Sequence, residues 1–332
     1  MIKSKIVGVG HYVPEKVVTN KDLMQYMDTS DEWIVERTGI RERRWIEFGK
    51  DNCTSMAVRA SSIALERAGL VPHDVDLIIF ATLSPDYCFP GNGVLLQREL
   101  KMREVGAIDI RAQCSGFIYG LSMADAYIRS GICKTVLVVG SEIQSNLLDL
   151  TTRGRNISVL FGDGAGAAVL QACEGERGIL STHIHSQGEF AEQLMLREPG
   201  NSHEKRWYEG IADDIDNIYM YMNGNFVFKH AVSRFVEVIN EALNANQIQP
   251  GQIDKVVPHQ ANLRITQFVQ KTMNLREDQV YSNIHKYGNT SAATIPIALS
   301  ELYAMGELTE NKLVVLAAFG SGFTWASSLI RW

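Results

Sequence analysis

The sequence has no C-x-x-C pair. Its five cysteines, Cys53, Cys88, Cys114, Cys133 and Cys173, are odd in number and scattered, which argues against a zinc ribbon or a disulfide framework. In a reducing compartment each is a free thiol, and the question is whether one is chemically special. Long apolar runs are also missing. Stretches such as Leu77–Leu83 and Val136–Val139 are strand-sized, far below the roughly 20 residues that span a bilayer. No basic run exceeds the short cluster Arg41, Arg43, Arg44, and 32 basic residues stand against 38 acidic ones for a net charge of −6. A nucleic-acid footprint is therefore not expected. The first ten residues carry no apolar segment of the signal-peptide kind. What is present is a chain of 332 residues, 45% hydrophobic and 21% charged. That is too apolar for a disordered chain and too charged for a membrane bundle. The expectation is a soluble, cytoplasmic protein without membrane or nucleic-acid partners, built as about two domains or one large α/β unit.

Short β-branched runs alternate with helical segments, the pattern of an α/β fold. In the first half the strands read Lys5–Gly10, Leu77–Leu83, Gly106–Ala112, Thr135–Gly140 and Gly166–Gln171, with helices at Cys53–Ala68, Val94–Leu100 and Ser115–Arg129. In the second half the strands read Gly178–His185, Lys255–Pro258, Val280–Asn283, Leu313–Ala318 and Trp325–Arg331, with helices at Asn225–Asn244, Leu263–Met273 and Ser291–Tyr303. The halves resemble one another. Leu70–Ile79 aligns with Ile248–Val257, and Lys134–Val138 with Lys312–Leu316, both at a shift of 178 residues. Two matches at one offset indicate an internal duplication. The expected halves are 1–175 and 176–332, packed about a pseudo-twofold axis around one continuous core.

The offset carries Cys114 onto Ala292, three residues beyond Asn289, so Cys114 and Asn289 both fall where a strand turns into one of two matching helices. His259 ends the strand that matches Leu77–Leu83. A duplicated α/β fold brings such strand ends together, where open sheets bind ligands. Cys114, in Gln113-Cys114-Ser115-Gly116-Phe117, stands at a helix start, where the dipole lowers a thiol pKa; on its own it also reads as a small buried hydrophobe. His259 follows an aliphatic strand and could move a proton at its edge, or be a hydrogen-bonded core histidine. Asn289 in isolation reads as a helix N-cap. The other histidines (11, 73, 183, 185, 203, 230 and 285) lack metal-binding spacing, so no metal is expected. Phe161-Gly162-Asp163-Gly164-Ala165-Gly166 lacks both the dinucleotide fingerprint and a Walker lysine, and reads as a tight turn into a packed strand. Phe319-Gly320-Ser321-Gly322-Phe323 could offer a backbone N–H to an oxyanion, or simply turn the chain.

Taken together, Cys114-Ser115-Gly116-Phe117, Pro258-His259-Gln260-Ala261-Asn262, Gly288-Asn289-Thr290-Ser291-Ala292 and the Phe319–Trp325 segment closely resemble the β-ketoacyl-acyl carrier protein synthase III family of thiolase-like condensing enzymes. Asp28–Ile40 and Phe161–Gly166 match as well, so the resemblance covers nearly the whole chain. It implies a duplicated, five-layered α-β-α-β-α thiolase-like fold, a homodimer, and initiation of fatty acid synthesis. By this resemblance Cys114 attacks the thioester of an acyl-coenzyme A, with the backbone N–H groups of Cys114 and Ser321 as the oxyanion hole. His259 and Asn289 then donate to the thioester oxygen of malonyl-acyl carrier protein as it decarboxylates. Acyl-coenzyme A is a substrate, and no metal or redox cofactor is implied. Trp33 would stack on the adenine, with Thr29, Arg37, Asn262 and Arg264 around the tunnel and Arg153 or Arg155 completing the stack. Phe89 would reach the acyl pocket of the partner subunit, and Lys229 and Arg264 would dock the acidic carrier protein.

The sequence also departs from the family pattern. Ser321 replaces the middle residue of a usual triple glycine, and Gln113 replaces a usually small residue before the nucleophile. The stretch Thr151–Asn156 is about two residues longer than the common pattern, and Glu189–Asn217 about ten longer. All four lie on the acyl or coenzyme side, which predicts a donor preference other than acetyl. A ketosynthase III-like enzyme of specialised metabolism is the competing reading, since the Cys-His-Asn set serves either. A non-catalytic carrier-protein partner on the same fold is a third, opposed by the presence of all three residue types.

Overall fold

The computed structural model describes residues 2–197, 200 and 218–332. Two apolar runs set its core: Leu77–Ala81 and Thr135–Glu142 are buried at every position, as strands covered on both faces must be. The strands of the two large sheets are numbered here in chain order, as are the helices of eight residues or more. The first sheet holds β1 (Lys3–Tyr12), β2 (Leu77–Ala81), β3 (Gly106–Ile110), β4 (Thr135–Glu142) and β5 (Gly164–Cys173), in the order β1-β5-β4-β2-β3. The second holds β6 (Gly178–Ser186), β7 (Lys255–Pro258), β8 (Leu313–Gly320) and β9 (Thr324–Arg331), in the order β7-β8-β9-β6. In the first sheet β2 runs parallel to both β4 and β3, in the second β7 runs parallel to β8, and the remaining pairs are antiparallel.

The duplication is visible element by element. β4 and β8 begin at 135 and 313, the helices α4 (Gly116–Arg129) and α7 (Thr294–Ala304) at 116 and 294, and the single turns before them at 113 and 291. Each pair is 178 residues apart. Even backbone strain repeats, for Gln113 and Ser291 hold positive φ of 44° and 50°, a conformation non-glycine residues adopt rarely.

One expected strand is not there. Val280–Asn283 would be the counterpart of β3, but it makes a single bridge, Val256 with Val280. Side chains have taken the place of the ladder: Gln260 Oε1 accepts from the Ser282 hydroxyl and the Asn283 N–H, and Asn283 donates to Glu301. The final helix of the second half begins at Thr294, after one tight turn at Ser291–Ala293.

Period-2 alternation sorts side chains into layers. Leu77, Ile79, Val136 and Val138 of the first sheet, with Val314, Leu316 and Ala318 of the second, face a shared core filled by Phe117, Ile118 and Leu121 of α4 and Ile295, Leu299 and Leu302 of α7. Ile78, Phe80, Leu137 and Val139 face outward onto α2 (Cys53–Ala68), with α3 (Asn92–Glu99) beside it. Val315, Ala317 and Leu329 face outward onto α5 (Gly224–Ala245) and α6 (Leu263–Thr272). The result is five layers, α-β-α-β-α. The helix α1 (Asp31–Thr38) packs over a smaller cluster at one end, with Ile34, Ile40 and Ile284. Among the described residues no helix is long and apolar enough to cross a membrane.

Candidate active site

Cys114 sits in the single turn Gln113–Ser115 that leads into α4. The turn is pinned to β9: the Ser115 hydroxyl donates to the Thr324 carbonyl at 3.2 Å, and the Thr324 hydroxyl donates to the Ala112 carbonyl at 3.3 Å. The residue keeps some exposure, yet protein surrounds the sulfur, and that burial pushes the thiol up to about 12, with the Glu142 charge adding to the rise. A thiolate favoured by the helix start is the sequence expectation; desolvation outweighs it here.

The structure gathers Cys114, His259 and Asn289 around Ser291 of the matching turn and Thr294, the first residue of α7. The Cys114 Sγ lies 3.7 Å from the Ser291 Oγ. The Ser291 N–H donates to Asn289 Oδ1 at 2.8 Å, which leaves the Asn289 amide NH2 as the free end of that buried side chain. The Asn289 backbone is itself fixed to Leu160 and Gly162. His259 follows β7, its N–H held by the Ala317 carbonyl at 2.7 Å, and its Nδ1 lies 2.7 Å from the Thr294 Oγ1. The Thr294 hydroxyl is also 3.0 Å from the Ser291 carbonyl. His259 is only 2% exposed, and burial lowers its pKa to about 3. It is a neutral imidazole at physiological pH.

Gly320 closes β8 against the nucleophile. A Cβ there would stand 2.8 Å from the Cys114 Cβ and 3.0 Å from its N, so only glycine fits. The next residue, Ser321, donates its hydroxyl to the Leu194 carbonyl, which turns the side chain away. On the opposite side, Glu142 ends β4 fully buried. Its Oε2 accepts from Ser84, Leu83, Thr82 and Gln144.

The outer residues fall into three groups. Trp33, half-buried on α1, is flanked by the guanidiniums of Arg37 and Arg155, 4.5 Å and 5.1 Å from its ring centre. Arg153, the other arginine the sequence offers for the coenzyme stack, pairs with Asp149 at 2.6 Å and lies over Tyr219; its side of the loop lines a cavity of about 530 Å³. The hydroxyl of Thr29 is buried without a hydrogen-bond partner among the described residues. Asn262 caps α6, accepting from the Arg264 N–H at 2.9 Å, and donates to the Arg37 carbonyl at 3.0 Å, so it ties α6 to α1. Arg264 lies over Phe228, next to the exposed Lys229 on α5. Phe89, apart from the others, is 86% exposed. His183 and His185 share Glu241 as a partner, and the described residues hold no cluster of three or more metal-ligating side chains. Most of the Glu189–Asn217 stretch, with His203, lies outside the described residues.

Sequence reading missed the parts played by Ser291, Thr294 and Glu142. The 178-residue offset would have found two of them, since it maps Gln113 onto Ser291 and Glu142 onto Gly320.

Comparison with known proteins agrees with this arrangement. Residues 108–188 match the family described as 3-oxoacyl-[acyl-carrier-protein (ACP)] synthase III, and residues 243–332 match its C-terminal part. The β-ketoacyl-[acyl-carrier-protein] synthase III of Granulibacter bethesdensis is 45% identical over 335 residues, covering 100% of both chains. That of Methylococcus capsulatus is 45% identical over 99% of each. Among solved structures, the 3-oxoacyl-[acyl-carrier-protein] synthase III of Aquifex aeolicus superposes with a TM-score of 0.91 at 42% identity, over 99% of this chain and 100% of that one. This chain belongs to the β-ketoacyl-acyl carrier protein synthase III family of condensing acyltransferases.

Proposed function

We propose that this enzyme initiates fatty acid synthesis by condensing an acyl-coenzyme A with malonyl-acyl carrier protein, using Cys114, His259 and Asn289. The carrying observation is the hydrogen-bonded gathering of the three residues through Ser291 and Thr294. Cys114 attacks the thioester carbonyl and takes the acyl group, releasing coenzyme A. The backbone N–H groups of Cys114 and Ser321 receive the oxyanion. Two features support this: the forced contact of Gly320 with Cys114 brings the next N–H beside the nucleophile, and the Ser321 side chain is held off by Leu194.

For condensation, His259 Nε2–H and the Asn289 NH2 donate to the malonyl thioester oxygen, where enolate charge collects as carbon dioxide leaves. Donors aimed at charge that develops only in the transition state raise the rate rather than the affinity. Neutral His259 can donate from Nε2 only if Nδ1 accepts. The Thr294 hydroxyl, with one proton and two acceptors in reach, supplies that bond by turning from the Ser291 carbonyl to Nδ1. The enolate carbon then attacks the acyl-Cys carbonyl and expels the Cys114 sulfur. Acyl-coenzyme A is a substrate throughout, and the protein's own groups suffice without a further cofactor.

Around the tunnel, Trp33 between Arg37 and Arg155 forms a platform for the adenine, and the Thr29 hydroxyl, without a partner among the described residues, is a ready donor to the coenzyme. Arg155, not Arg153, fits the stack. Lys229 and Arg264 present positive charge to the acidic carrier protein. A homodimer fits the edge strand β3, which among the described residues pairs with β2 alone and leaves half-buried residues and unpaired backbone at the rim, and it fits the exposed Phe89. The reading places the halves 1–175, with the nucleophile, and 176–332, with His259 and Asn289, in a cytoplasmic enzyme. Incubating the protein with acyl-coenzyme A and malonyl-acyl carrier protein should yield β-ketoacyl-acyl carrier protein and carbon dioxide. Cys114→Ala should abolish the product; a variant that condenses at the normal rate would show that another residue is the nucleophile.

A further inference from the structure

Cys114 poses a problem that the reaction above leaves open. A thiol held up to about 12 by burial carries little thiolate at neutral pH, and the thiolate is the nucleophile. Something must take its proton. His259 is engaged at Nδ1 by Thr294 and needs a proton on Nε2 for the malonyl step, so a different acceptor serves better.

The duplication points to one. Glu142 and Gly320 are equivalent residues, each the last of its strand. Gly320 packs on the Cys114 turn, and Glu142 correspondingly faces the Ser291–Ala292 turn, close enough for the Ser291 hydroxyl and the Ala292 amide to lower its pKa. Four donors occupy Oε2, whereas Oε1 is fully buried and has no aligned hydrogen-bond partner among the described residues. Ser291 therefore stands between a thiol 3.7 Å away and a buried carboxylate oxygen with a vacant lone pair. The left-handed backbone at Ser291 is the kind of strain that persists at working sites.

We propose that Glu142 accepts the Cys114 proton through the Ser291 hydroxyl and stores it while the cysteine is acylated. This rests on the condensing role proposed above. In acylation the S–H proton passes to the Ser291 oxygen as the Ser291 proton passes to Glu142 Oε1. The Cys114 sulfur bonds to the thioester carbon, the bond from that carbon to coenzyme A breaks, and the coenzyme A thiolate takes a proton from solvent. In condensation the enolate carbon bonds to the acyl carbon and the Cys114–acyl bond breaks. The released Cys114 thiolate then recovers the stored proton from Glu142 through Ser291. Burial sets Glu142 at about 7, which suits an acceptor that must both take and return a proton near neutral pH. The other titratable group facing Glu142 is Cys53 at the start of α2, which burial keeps a thiol. Asp86, bonded to the Cys53 N–H, is the next acid beyond it. Glu142 is thus a positioning and proton-storing residue that acts through Ser291.

The test compares wild type, Glu142→Gln, Ser291→Ala and the double variant between pH 5.5 and 9. Two rates are read: alkylation of Cys114 by iodoacetamide, which needs no substrate, and single-turnover acylation by acyl-coenzyme A followed by mass spectrometry. Wild type should show an inflection near pH 7 in both. Glu142→Gln should lose that inflection and slow at pH 7 by about 100-fold, the usual scale for a general base. Ser291→Ala removes only a hydroxyl and should do the same even if Glu142→Gln does not fold, and the double variant should be no slower than either. Wild-type rates and profile in a folded Glu142→Gln, or losses that multiply in the double variant, overturn the relay. Failure of wild type to acylate at Cys114 would instead overturn the condensing role, and the alkylation profile would still decide the relay.

Discussion

Ser291 and Thr294 sit one helical turn apart and connect the three side chains proposed to act, Cys114, His259 and Asn289, so the residue scale is where the chemistry is set. Among the described residues the Thr294 hydroxyl is the one hydrogen-bond partner of His259 Nδ1. Thr294→Val keeps the branched shape and removes the bond, leaving a buried ring nitrogen unpaired at a cost of about 1–3 kcal/mol. Condensation by pre-acylated enzyme should fall by about tenfold or more while first acyl transfer changes little; equal losses in both steps would contradict the assignment. His259→Ala and Asn289→Ala should behave likewise, with losses on the order of 100- to 1,000-fold in condensation. The histidine also predicts a pH dependence. Because burial holds it near 3 against 6.5 for an ordinary histidine, it stays neutral, and malonyl decarboxylation by pre-acylated enzyme should show no histidine limb between pH 8 and 5. For stability the sign follows from linkage. A lowered folded pKa leaves stability intact above 6.5 and erodes it between 6.5 and 3, as only the unfolded chain takes up the proton. Denaturant midpoints across that window should fall less steeply for His259→Asn than for wild type. Cys114, His259 and Asn289 were legible in the sequence because their motifs are local. The roles of Thr294 and Glu142 were not, since each depends on a partner 35 to 149 residues away in sequence or on burial that no local pattern reports.

At the scale of elements, the duplication does the positioning. The strands β4 and β8 end against the turns of the opposite halves, Glu142 near Ser291 and Gly320 against Cys114. Such close approach makes Gly320 intolerant: Gly320→Ala must push a Cβ into the Cys114 backbone, a strain of about 1–3 kcal/mol placed on the nucleophile itself. Acylation should drop at least tenfold in a variant that still folds, and an unaffected rate would show that the turn is free to move. Most strands and helices were readable from apolar runs, with Cys53–Ala68 and Lys255–Pro258 matching to the residue. Val280–Asn283 misled because its β-branched and aromatic start resembles a strand, while the competing bonds from Gln260 and Glu301 come from distant segments. The thiol pKa misled for a similar reason: a helix start is visible in sequence, but the depth of burial that overrides it is not.

For the whole molecule, the five layers leave β3 at one edge of the first sheet, paired only with β2 among the described residues, and the large aromatic Phe89 86% exposed. A homodimer formed there predicts a mass twice that of the 37.0 kDa chain by light scattering; a monomer at micromolar concentration would contradict it. The central claim is that acyl group and malonyl unit meet on Cys114. It is tested most directly by intact-protein mass spectrometry of a two-step turnover, in which the enzyme is first loaded with acyl-coenzyme A and then chased with malonyl-acyl carrier protein. The account predicts one acyl group mapped to Cys114 after loading, and its disappearance in step with β-ketoacyl-acyl carrier protein formation after the chase. An acyl group on any other residue, or an adduct on Cys114 that the chase leaves in place while product forms, would contradict it.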